Sequence, residues 1–159
     1  MNSHYFVVAD HSRIRIFTEN SAPGQITPGL EEVFAMDFAQ GRAAYTDNDT
    51  DMAGRFQGSR QQGAAPGAPA ARAGMSIDER LPMQREAHRR AVGEIAGAID
   101  SFLELRPDAS WDFAAGPSMH NAVLERLPHS VRTRLRGSLS KDLVKHPVAD
   151  LRERFLNLV

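Results

Sequence analysis

Val92, Ile95, Ala96, Ile99, Phe102 and Leu103 recur at i, i+3, i+4, i+7, i+10 and i+11, and this pattern constrains the fold more than any other part of the chain. On an α-helix those six side chains share one continuous apolar face, which has to be buried against something broad and apolar. Pro82 suits the first turn of such a helix, and Pro107 ends it. Glu86 and Arg90 hold the favourable i,i+4 order on an early turn.

The partner surface is legible on both sides of the helix. His4 to Ala9 is a short β-branched and aromatic run, the mark of a buried strand, and Asp10-His11-Ser12 breaks it with turn chemistry. Arg13-Ile14-Arg15-Ile16-Phe17 then alternates, so the two runs read as a hairpin, with a third strand in Leu30 to Phe38. Beyond the helix, Trp111 to Ala115 reads as a strand closed by Gly116-Pro117, and a short helix capped by Ser118 runs to Leu127. A helical turn starts at Pro128, a final strand falls within Leu135 to Leu143, and Val148, Leu151, Phe155 and Leu158 mark a terminal amphipathic helix. Paired strands followed by strands alternating with helices predict an α/β fold: one domain, a mixed β-sheet covered by helices. A chain of 159 residues can bury one such core but not two. Between the third strand and the helix, residues from about Gln40 to Met75 include the low-complexity run Gly58 to Pro69, which predicts a long flexible loop.

Catalytic and metal chemistry finds little purchase. The chain has no cysteine, which removes disulfides, thiolate metal sites and cysteine nucleophiles. Asp47-Asn48-Asp49-Thr50-Asp51 opens like a calcium loop, but Met52 stands where the sharp turn needs glycine and Gly58 where a bidentate carboxylate is needed. Asp10-His11-Ser12 holds the residue types of a hydrolytic triad, yet triads assemble from separated segments, so an Asx-type turn explains it better. His4, His11, His88, His120, His129 and His146 never fall at metal-ligand spacing, and no glycine-rich stretch has a phosphate-loop pattern. The reading is therefore no catalytic residue, no metal and no cofactor. No apolar run approaches the ~20 residues of a membrane span, and the first residues lack an export pattern, so no membrane insertion and a cytoplasmic location are expected.

Charge is uneven along the chain. Net charge is −1, but residues 1–118 carry 11 Arg against 16 acidic residues, while residues 119–159 carry eight Lys or Arg against four acidic residues. Arg132, Arg134 and Arg136 alternate: in a strand they would share a face able to follow a phosphate backbone, and in a helix they would disperse. Arg55 and Arg60 flank Phe56, an aromatic that could stack on a base. Lys141 and Asp142, at the end of the last strand, are either part of a binding surface or a plain surface ion pair.

Several of these pieces together resemble the bacterial host attachment proteins, a family named for being required for attachment to host cells. The opening strand and hairpin resemble Val7 to Phe17 here, the family's Asp-x-x-Gly-Arg element resembles Asp51 to Arg55, and its late Lys-Asp-Leu resembles Lys141-Asp142-Leu143. That family is in turn similar to the middle domain of archaeal and eukaryotic peptide-chain release factors, where a mobile loop before a long helix carries Gly-Gly-Gln. Here the comparable loop holds Gln61-Gln62-Gly63 instead. The resemblance implies a release-factor-like fold and, first, a non-enzymatic protein that binds a protein partner. The second implied function is an RNA- or ribosome-associated translation factor, and the third a peptidyl-tRNA hydrolase.

Overall fold

Phe6, Val7, Val8 and Ala9 are all buried, although alternate side chains of a strand point to opposite faces. That is the condition of a strand covered on both sides, and it explains why His4 to Ala9 reads as an unbroken apolar run. The computed structural model of the chain describes residues 3–20, 28–38 and 77–156. In it, β1 (His4–Ala9) is the middle of a five-stranded sheet of order β3-β2-β1-β4-β5. On one side β2 (Arg13–Asn20) and β3 (Gly29–Asp37) continue antiparallel from it. On the other, β4 (Ser110–Ala115) and β5 (Leu135–Leu139) run parallel to it.

The side-chain alternation divides the core in two. Val7, Ile14, Ile16, Trp111 and Phe113 face α1 (Ile77–Glu104), α2 (Pro117–Arg126) and α3 (His129–Arg132). The predicted stripe lands on this face: Ile95, Ile99 and Leu103 are fully buried. Phe6, Val8, Phe17 and Ala114 face the other way, onto α4 (Val148–Leu156) through Leu151 and Phe155. The expected mixed sheet covered by helices is thus the fold. The loop expected from about Gln40 to Met75, together with Arg55 and Arg60, lies outside the described residues.

Two local expectations need correction. α1 begins at Ile77, which puts Pro82 at its sixth residue and not in its first turn; the proline removes one intrahelical donor there. α2 begins at Pro117 with Gly116 as N-cap and no side-chain cap, so Ser118 lies inside the first turn. The final strand falls within Leu135 to Leu143 as expected: β5 ends at Leu139, and beyond it the Asp142 carboxylate accepts the Val144 N–H at 3.1 Å while Leu143 and Val144 pack beneath the sheet. The sheet's open edge is irregular as well. Ile16 pairs with Phe34 and Phe17 with Glu32, which leaves Val33 as the extra residue of a β-bulge on β3.

Candidate functional site

The carboxyl ends of β1, β4 and β5 meet at one edge of the sheet, the place where open sheets with parallel strands form ligand crevices. Asp10 closes β1 as an Asx turn: its Oδ1 accepts from Ser12 N at 2.7 Å, Ser12 Oγ at 2.9 Å and Arg13 N at 2.8 Å. The serine hydroxyl is thereby committed to the aspartate, and the three adjacent residues form a turn, as expected, with no triad. His11 projects from this turn and meets His88 of α1, with Nε2 to Nδ1 at 3.1 Å. Burial lowers the His11 pKa below its usual 6.5; the charge of His88 lowers it further, while Asp10 and Asp142 oppose the shift. Asp142 also lies close to the Gly116 backbone, where an added Cβ would sit 3.9 Å from the Asp142 Cβ. The Val7–Phe17 hairpin and Lys141-Asp142-Leu143, two of the three motifs behind the family resemblance, therefore converge at this edge. The third, Asp51 to Arg55, lies outside the described residues.

The opposite edge holds a Ser–His–Asp array that spacing could not reveal. His4 bonds Ser110 Oγ through Nδ1 at 2.8 Å and Asp112 Oδ2 through Nε2 at 2.9 Å, across more than a hundred residues of sequence. Acyl transfer also needs N–H donors for the developing oxyanion. Both backbone candidates are taken: Ser110 N donates to Ser3 O at 3.0 Å and Trp111 N to Arg134 O at 3.2 Å. The array ties β1 to β4, and neither of these two N–H groups is free for an oxyanion.

Two grooves flank α1 on opposite sides. Between α1 and β3 runs an apolar groove of about 900 Å³, lined by Val33, Phe34 and Met36 of the strand, by Gly97 and Phe102 of the helix and by Leu105 just beyond it. Val33, Met36 and Leu105 are exposed, Leu105 at 81%. Between α1 and α2 lies a second groove of about 580 Å³, with Arg85, His88, Arg89, Glu125 and Arg126 around it.

The family model described as "Protein required for attachment to host cells" matches residues 5–155. The chain belongs to this family. None of the curated proteins compared with it matches. Within the host-attachment fold the predicted basic residues separate. Arg132 is exposed at the end of α3, Arg134 lies in the turn after it, and Arg136 alone of the three is in β5, so no shared strand face forms. Arg134 is consumed structurally: its guanidinium donates to the carbonyls of Arg106 at 2.7 Å, Pro107 at 3.2 Å, Leu103 at 3.3 Å and Ser130 at 3.1 Å. Apart from Ser130 of α3, those carbonyls end α1 and begin the turn to β4, so the charge caps the negative end of α1. Lys141 and Asp142 are exposed. Among the described residues no ion pair joins them, and no group of three metal-ligating side chains is present. No helix among them is long and apolar enough to cross a membrane.

His88 and the apolar groove escaped the sequence reading. His88 meets its partner 77 residues away, which no local pattern encodes. The groove did leave one mark: Gly97 sits inside a strong helical pattern, where glycine costs about 1 kcal/mol relative to alanine.

Proposed function

We propose that the protein is a non-enzymatic binding protein of the host-attachment family, and that an extended, apolar-rich segment of a protein partner docks between β3 and α1 as an added strand. The observation that carries this reading is the coincidence of an edge strand with an apolar groove beside it. β3 ends the described sheet order, so one row of its N–H and C=O groups has no neighbouring strand among the described residues. Strand addition supplies main-chain hydrogen bonds, and alternate side chains of the added segment enter the groove over Phe34, Ala98 and Phe102. Docking of this kind gives a family required for attachment a role without chemistry, including an indirect one exerted inside the cell. The RNA- or ribosome-associated reading is second. Its expected stripe is dispersed and Arg134 is engaged, while Arg55, Arg60 and any hydrolytic role of the central segment lie outside the described residues.

Gly97 provides the test, because an added Cβ there meets nothing within 4 Å. Gly97→Leu fills the groove and raises helix propensity, so the fold is retained. Proteins captured at high salt by the wild type and lost by Gly97→Leu, with β3 amides protected from hydrogen exchange in the complex, are the expected result. Capture unaffected by the substitution refutes docking at this groove.

A further inference from the structure

The groove between α1 and α2 is cationic without being neutralised. Arg85, His88 and Arg89 lie on one stripe of α1 at i, i+3 and i+4, and Arg126 reaches across from α2. The Arg126 guanidinium packs over Gly93, 3.6 Å from where an added Cβ would stand, an ordinary contact distance. Three guanidinium groups thus surround one carboxylate, Glu125. Among the described residues neither Arg85, Arg126 nor Glu125 forms an ion pair, and Arg89 has only Glu86 at 3.6 Å on an exposed part of the helix. The three guanidinium groups are exposed around Val92 and Ala122 on two packed helices, and their shared lining favours an anion among them.

We infer that this groove binds a phosphomonoester. Guanidinium forks match phosphate oxygens in pairs of parallel hydrogen bonds, and Arg clusters are a recurrent way to read phosphorylated groups. Charge and shape choose the monoester over a nucleic-acid backbone. Three Arg and one Glu give the lining a formal balance of +2, which matches the about −1.5 to −2 of a phosphomonoester at pH 7. The lining contains no Phe, Tyr or Trp, so a base would have only His88 or an arginine plane to stack on, which the RNA arm of the experiment tests. The site lies on the opposite side of α1 from the apolar groove, so its occupancy is independent of strand addition there.

The experiment is titration calorimetry at low ionic strength with three probes: a phosphoserine peptide, glucose 6-phosphate, and a single-stranded RNA of similar total charge. The proteins are wild type, an Arg85→Gln and Arg126→Gln double variant, Arg132→Gln as a basic control outside the groove, and Gly97→Leu. Both phosphomonoesters bind the wild type, the double variant loses about tenfold or more in affinity, and Arg132→Gln and Gly97→Leu bind as the wild type does. A phosphopeptide tighter than the sugar phosphate identifies the source as a phosphorylated protein; equal affinities identify a small free phosphomonoester. The inference is overturned if neither monoester binds, if the double variant binds them unchanged, or if the RNA binds more tightly than both.

Discussion

At the amino ends of β1 and β4 polar side chains join segments distant in sequence, whereas at the carboxyl ends they are bound mostly within their own turns. His4 is held between Ser110 and Asp112, the Trp111 indole N–H donates to the Val131 carbonyl at 2.9 Å, and Arg134 clasps the end of α1. At the other end Lys141 and Asp142 are exposed, Asp10 and Asp142 accept backbone N–H groups of their own turns, and His11 meets His88. Satisfied polar networks rigidify a fold, and groups left partly unmatched are available to a partner. The comparison places long-range polar contacts at one end and local turn contacts at the other, and substitutions at the two ends should differ accordingly.

The largest effect belongs to the closed end. Trp111 is the bulkiest fully buried side chain, packed 5.9 Å from Phe113 between ring centroids. Trp111→Ala should cost about 3–5 kcal/mol in urea unfolding, through the cavity it leaves. Trp111→Phe separates packing from the hydrogen bond. Val131 O still accepts the Arg134 N–H at 3.2 Å, so the loss beyond packing should fall near the lower end of the ~1–3 kcal/mol for an orphaned partner. A tolerated alanine would place the core elsewhere.

The next effect tests the arginines directly. Arg134→Ala should cost about 1–3 kcal/mol, because it strips a charged donor from carbonyls at the α1 terminus. Arg136→Ala, two residues on and exposed, should stay within about 0.5 kcal/mol of wild type. Equal losses at both positions would erase the distinction between a clasp and a solvated side chain.

These two arginines also show how far sequence reaches. Strand and helix existence was legible because the hydrophobic periods are strong: β1 is apolar throughout, α1 repeats at three and four, and both resolve as expected. The role of Arg134 was not legible, because alternation at 132, 134 and 136 is compatible with any surface. Its partners lie 25 to 31 residues back, on a helix terminus whose orphan carbonyls periodicity does not show. Where β5 ends inside the expected Leu135 to Leu143 span was not legible for a related reason. An Asx turn at Asp142 depends on where the side chain points, and Leu143 continues the apolar pattern while packing on the other face of the sheet. The His11–His88 contact is long-range and had no local signature.

A smaller effect, of opposite sign, tests the open groove. Gly97 is exposed on α1 and an added Cβ meets nothing within 4 Å. Gly97→Ala should therefore stabilise the fold by about 0.5–1 kcal/mol, the helix-propensity difference alone. Destabilisation in thermal unfolding would mean that the groove floor is already filled.

The smallest effect separates the two ends by pH. The His11 pKa is lowered below its usual 6.5, first by burial and then by the neighbouring His88, with Asp10 and Asp142 pulling the other way. In the unfolded chain those influences are gone. As pH falls below 6.5 the unfolded state therefore takes up a proton that the folded state resists. Stability follows the difference in bound protons, so this contribution is fully present above the unfolded pKa and is lost as pH falls through the folded one. The ring is only half-buried and partly solvated, which makes the loss modest. Urea unfolding at about pH 8 and about pH 5, for wild type and His11→Asn, isolates it from the carboxylates common to both proteins. The wild type should lose more stability on acidification than the variant does. Identical pH dependence, or a wild type that gains relative to the variant in acid, would show that His11 does not sense its neighbours and that the carboxyl-end edge is as settled electrostatically as the other.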